Sequence, residues 1–119
     1  MPLYGSQTGM PTPVYPGQQF VLFSGAEAPA VGVKSVAFER AANWDGHPSA
    51  SAFTVNFPSA PTATVQIQAS NDDVDSHYQV LQAINAQNGW YSDQGQFRYF
   101  RAVLSTYIAG SMPTVIIQR

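Results

Sequence analysis

The chain has no cysteine. This excludes thiolate catalysis, Cys-ligated zinc and a disulfide framework, and it fits synthesis in a reducing compartment. Charge is scarce too: five Lys and Arg and seven Asp and Glu make up 10% of 119 residues, where an ordinary domain carries roughly 25%. Lys34 is the one lysine, which leaves little for Schiff-base or phosphate chemistry. The net charge is −2 and no basic run occurs. Nucleic acid and anionic membranes are held by clustered cations, so neither is expected as a partner. No run approaches 18 apolar residues, and no basic segment leads into an apolar one at the N-terminus; neither a membrane span nor a signal peptide is expected. Gly-x-Ser-x-Gly, the phosphate loop, Gly-x-Gly-x-x-Gly and His-Glu-x-x-His are all missing. Enzyme activity, a cofactor and a small-molecule substrate are therefore not expected.

Neutral polarity fills the place of charge, with 11 Gln, 11 Ser, 7 Thr and 5 Asn. A chain of this length makes one domain and buries roughly two-thirds of its unfolded surface, enough for a core without disulfides or metal. Residues 1–19 hold four of the nine prolines, interleaved with Tyr4, Val14 and Tyr15. Proline fixes φ and lacks a donor, so this stretch reads as an extended arm rather than a helix or a central strand. Its aromatics suggest that it docks on its own domain or on a neighbour, because disordered tails are poor in them.

From residue 20 onward, short runs of Val, Phe, Tyr, Ile and Thr alternate with Gly, Pro, Asn and Asp, the pattern of an all-β sandwich. Strands are expected at 19–23, at 31–38 with a bulge near Ser35 and Val36, at 52–57, 63–69, 78–84, 97–108 and 114–118. Phe53, Val55 and Phe57 share one face of their run, and Val65, Ile67 and Ala69 share one face of the next. The proline-bearing turn at 58–61 suggests that these two runs form a hairpin. Phe100, Ala102 and Leu104 are assigned to the core. Asn88-Gly89 and Asp93 to Gly95 read as turns bracketing Trp90 and Tyr91.

Asp72, Asp73 and Asp75, with His77 beside them, could offer oxygen ligands to a cation. Asn and Asp at the end of a strand are more simply turn formers, and the glycine and distal Glu of a calcium loop are missing, so no metal site is expected. Arg98 and Arg101 interleave with Phe97, Tyr99 and Phe100. Arginine and aromatics are enriched in interface cores, and their stems also cover aromatic surface. Interface residues are therefore expected at Tyr4, Val14, Tyr15, Arg98, Tyr99 and Arg101. A second reading places a sugar-stacking platform at Trp44, Trp90 and Tyr91, with Asp45 and Asp93 orienting hydroxyls.

The segment TVQIQASNDD at 64–73, followed by FRYFRA at 97–102, resembles the strand, Ser-Asn-Asp and arginine-bearing aromatic strand of discoidin-like β-sandwich modules. It departs from the secreted members in having no cysteines to join its termini. Taken with the Pro-rich arm, the low charge and the ending MPTVIIQR at 112–119, the chain is also similar to small structural proteins of tailed bacteriophages, in particular capsid decoration, or cement, proteins. That resemblance implies a single antiparallel, jelly-roll-like β-sandwich of seven to eight strands over 20–119, with an extended arm over 1–19. It further implies a non-enzymatic virion protein, made in the host cytoplasm, that sits on the outer capsid surface. Its partner would be the major capsid protein, whose subunits it ties together as a homodimer or homotrimer. The alternative is a carbohydrate-binding module of a head fibre or tail appendage, or a tail or neck component.

Overall fold

A computed structural model describes residues 3–4, 12–15, 17–40, 51–59, 61–93 and 97–119. Ten strands run through them: β1 (Leu3–Tyr4), β2 (Thr12–Val14), β3 (Gln19–Ser24), β4 (Phe38–Arg40), β5 (Ser51–Asn56), β6 (Ala63–Ser70), β7 (Gln79–Ile84), β8 (Asn88–Asp93), β9 (Tyr99–Tyr107) and β10 (Thr114–Gln118). One five-stranded sheet, sheet A, has the order β1-β3-β10-β5-β8, and the other, sheet B, has the order β2-β4-β9-β6-β7.

The connectivity follows from one long fold-back of the chain. β6 and β7 form a hairpin, and around it β5 pairs with β8, β4 with β9 and β3 with β10, every pair antiparallel. Successive nested pairs fall alternately in sheet B and sheet A. This is the double-sheet jelly roll, an antiparallel sandwich with two interlocked Greek keys. The expected hairpin between residues 52–57 and 63–69 does not form. β5 pairs with β8 and β10 in sheet A, whereas β6 pairs with β7 and β9 in sheet B. Two half-buried, period-2 strands look alike whether they pair together or face each other across the core, and here the chain passes from sheet A to sheet B between β5 and β6. Asn88-Gly89 likewise lies inside β8, not in a turn.

Period-2 patterning produces the core as expected. Phe53, Val55, Val65, Ile67, Ala69, Phe100, Ala102 and Leu104 are all fully buried. Phe20 and Phe53 of sheet A interleave with Phe38 and Phe100 of sheet B. Their ring centroids lie 5.2–6.0 Å apart in the contacts Phe20–Phe38, Phe38–Phe53, Phe38–Phe100 and Phe53–Phe100, within the range where aromatic pairs attract beyond their area. The expected strand at 31–38 forms only as β4 at its far end, Phe38–Arg40; before it Lys34 makes an isolated bridge to Val103 while Phe38 pairs with Phe100, four steps against three, so the chain slips where the bulge is expected. The Ser35 hydroxyl fills the gap by accepting the Ala102 amide at 2.9 Å.

Gly89 is explained by close approach across the sandwich. A Cβ at this position would lie 2.3 Å from Cγ2 of the buried Ile84, and a β-branched side chain cannot easily swing away. Gly89→Ala is expected to cost about 1–3 kcal/mol in urea denaturation, and less in an Ile84→Ala background, where Cγ2 is gone. Equal costs in both backgrounds would contradict the contact.

Candidate functional site

A buried ion pair joins the two sheets. Nη2 of Arg40, from β4, donates to Oδ2 of Asp93, from β8, at 2.7 Å and to Oγ of Ser51, from β5, at 3.0 Å. The guanidinium carbon sits 4.5 Å from the centroid of the Phe100 ring. Both charged side chains are 7% exposed. Asp93 is therefore not placed to orient sugar hydroxyls, contrary to the expected platform, and its carboxylate is committed to the inside of the sandwich. Tyr91 turns inward as well, with its ring 6.0 Å from Phe53. Burial, followed by the neighbouring Asp93 carboxylate, raises its hydroxyl pKa. Trp44 and Asp45 lie outside the described residues. Of the expected platform, Trp90 stands out in solvent at 75% exposed.

The acidic segment after β6 is a pinned loop. Asp72 accepts the Ser70 hydroxyl at 2.8 Å and shares a 2.5 Å contact with Nδ1 of His77; the His77 contact, then Ser70, holds its carboxyl below the usual range. Asp73 adopts φ 52°, a left-handed conformation that Asp tolerates better than most residues. Its carboxylate accepts the Tyr78 hydroxyl at 2.5 Å. Burial and that bond push the Tyr78 pKa up. Asp75 accepts Lys34 Nζ at 2.8 Å and Arg101 Nη1 at 2.6 Å, and these two cations lower its pKa to about 2. Each carboxylate thus has a partner of its own, and the described residues contain no group of three acidic, His or Cys side chains able to hold a metal ion.

Arg101 also departs from its expected interface role. Its side chain is 11% exposed. The guanidinium lies 3.9 Å from the Tyr78 ring centroid and Nε donates to Gln68 at 2.9 Å, so it covers an aromatic ring and ties the loop to β9. Arg98 remains on the surface, its side chain 60% exposed and paired with Glu39; Tyr99 beside it is half-buried.

The arm belongs to the fold over part of its length. β1 runs parallel to β3 and β2 runs parallel to β4, each at a sheet edge. Val14 is fully buried within the core cluster, so at this residue the arm docks on its own domain, which corrects the expectation of Val14 as an interface residue. The C-terminus clasps this segment: the Arg119 amide donates to the Gln18 carbonyl at 3.0 Å, and Nη1 of Arg119 donates to the Val14 carbonyl at 2.5 Å. Burial, then the charge of Arg40, lowers the Arg119 pKa to about 10. Tyr15 is 52% exposed, and the Tyr4 side chain lies outside the description.

The surface that sequence reasoning missed is the outer face of sheet A. Its outward residues are Gln19 and Val21 on β3, Thr114, Ile116 and Gln118 on β10, Ala52, Thr54 and Asn56 on β5, and Asn88, Trp90 and Ser92 on β8. None carries a charge. Val21, Ile116, Thr54 and Trp90 align as one row across four strands, of which Val21 is buried at 7% exposed and does not add to the open surface. In the strands of sheet A, Asp93 is the sole carboxylate or cation, and it points inward. Sheet B and its loops carry Lys34, Glu39, Asp72, Asp73, Asp75, Arg98 and Arg101. The low charge of each run was readable in the sequence; which runs lie side by side was not.

Two measurements follow from these contacts. Asp75 has a depressed folded pKa, so its stabilisation is complete above the ordinary value of 3.8 and is lost as pH falls through about 2. Asp75→Asn is thus expected to lower the denaturation midpoint at neutral pH and to converge on the wild type as pH falls below ~2; a gap independent of pH would refute the pairing. Breaking the buried pair with Asp93→Ala is expected to cost about 3–5 kcal/mol, while Arg40→Met combined with Asp93→Leu costs less than either single change, because neither charge is then stranded. Additive losses would count against the pair.

No protein-family model, curated protein or solved structure matches this chain, so its function rests on the geometry above.

Proposed function

We propose that the protein is a non-enzymatic docking module, a capsid decoration subunit of a bacteriophage, that seats the outer face of sheet A on coat subunits. One observation carries this reading: the outward residues of sheet A are all uncharged, and Trp90, 75% exposed, stands among them. Burying a charge in an interface costs several kcal/mol unless it is paired, whereas Thr, Asn, Gln and Ser hydrogen-bond across a wet interface at little cost. A tryptophan on a flat polar face is the residue type that most often dominates binding energy. Double-sheet jelly rolls recur in capsid proteins and in lectins, so the fold is compatible with the role without specifying it. Arg98 and Tyr99 fit the docking surface less well, since Arg98 is engaged with Glu39 on sheet B.

The exposed indole, with Asn88, Ser92 and Thr54 around it, also favours a second reading, stacking on a sugar ring. Co-sedimentation with empty shells of the cognate coat protein separates the two. The wild type is expected to bind; Trp90→Ala and Thr54→Lys are each expected to weaken binding at least about tenfold, and Arg98→Ala to leave it unchanged. Equal binding by Thr54→Lys and the wild type would remove the sheet A face from the interface. A protein that ignores shells but binds arrayed glycans through Trp90 would establish the sugar reading.

A further inference from the structure

The four sheet edges are not treated alike. The arm supplies the end strand on one side of each sheet, β1 on sheet A and β2 on sheet B, and Pro13 lies within β2, where it withholds a donor from any further strand. On the other side, β7 ends sheet B and β8 ends sheet A. β7 carries a bulge: Ile67 pairs with Gln82 but Gln68 with Val80, leaving Leu81 over, and bulges are one device that keeps an edge from pairing. Among the described residues, β8 has no such protection. It pairs with β5 through six consecutive positions with no shift, contains no proline, and carries no charge over 88–92. A regular, uncharged, exposed edge is a template for another strand.

We infer that a second copy of this chain adds to the β8 edge, antiparallel, about a two-fold axis through Trp90. The axis position follows from three constraints. Residues directly opposite one another in an antiparallel pair share a face, so a symmetric pair of β8 strands must turn about a residue and not between two. An axis through Tyr91 sets Gly89 opposite Asp93 and draws in a carboxylate already committed to Arg40; an axis through Gly89 leaves a ladder of three residues. The axis through Trp90 pairs Asn88 with Ser92 of the second copy, Gly89 with Tyr91 of the second copy, and Trp90 with its own counterpart. Each of these matches is favourable. Small neutral polar residues meet on the outer face, and the aromatic ring lies opposite the glycine, the pairing by which aromatics compensate a glycine in a sheet. Identity of the two strands also decides for a second copy, since self-pairing opposes like with like and is blocked by charge, which 88–92 lacks.

Pairing at this edge joins the two outer faces of sheet A into one continuous uncharged surface, so that one dimer presents two docking faces side by side. The inference concerns the free protein and does not rest on the docking reading. Sedimentation equilibrium without shells tests it, and either can fail while the other stands. The wild type is expected to show a monomer–dimer equilibrium across the micromolar range. A variant with Asn88→Lys and Ser92→Lys places lysine opposite lysine twice, and one with Asn88→Asp and Ser92→Asp places aspartate opposite aspartate twice. Each is expected to dimerise at least about tenfold more weakly, and their equimolar mixture to recover dimer as a heterodimer. Far-UV circular dichroism reports whether each variant folds. Because the chain has no cysteine, Trp90→Cys is expected to form an intermolecular disulfide under mild oxidation, while Gln118→Cys on β10 is expected not to cross-link. A strictly monomeric wild type overturns the inference. So do charged variants that dimerise as the wild type does, a mixture that does not recover dimer, and equal cross-linking at residues 90 and 118.

Discussion

The whole structure depends on four phenylalanines meeting between the sheets. Phe20 and Phe53 come from sheet A, Phe38 and Phe100 from sheet B, and all four are fully excluded from water. With no disulfide and one domain-sized core, the sheets are held by this apolar joint, and truncating such a ring typically costs about 3–5 kcal/mol. The joint also sets the geometry of everything outside it. Once Phe53 faces inward, Thr54 must face outward and lie beside Trp90 and Ile116; once Phe100 faces inward, Arg101 must face outward into the loop at 71–78.

Charge is segregated by that same geometry. On sheet B the charged groups are engaged: Asp75 with Lys34 and Arg101, Glu39 with Arg98, and Asp72 with the His77 ring. These exposed pairs contribute little each, but together they fasten a long loop against β9. Arg40 and Asp93 are different in kind, since both lie inside and connect β4 to β8 across the core. A buried pair of this sort is weak evidence of stability and better evidence of register: it lets β4 and β8 meet only where the two charges coincide. What remains on sheet A is neutral, and a neutral face is the one that can be covered by another protein without stranding an ion.

Most of the strands were legible because half-buried strands write their burial as alternation. Val65, Ile67 and Ala69 faced the core as read, as did Phe100, Ala102 and Leu104. The bulge near Ser35 was visible as a slip of parity. The pairing is not legible: alternation states that one face is buried, not against what, and so β5 and β6 look like neighbours in one hairpin although they lie in opposite sheets. Site residues failed for the same reason. Val14, Asp93 and Arg101 look like surface residues in a proline-rich arm, a turn and a basic aromatic run, and each acquires its burial from a segment distant in the chain: Arg119 beside Val14, Arg40 beside Asp93, Tyr78 over Arg101.

The sequence by itself determined the class of the fold, the core residues and the poverty of charge, because each is a local property of composition or of period. Only the tertiary structure decided that the uncharged strands lie together as one face, that Trp90 stands out from it while Tyr91 turns in, and that β8 ends sheet A. Those outcomes depend on which strands the jelly roll brings side by side. Such pairings are made by contacts among residues far apart in the chain, and no local pattern encodes them.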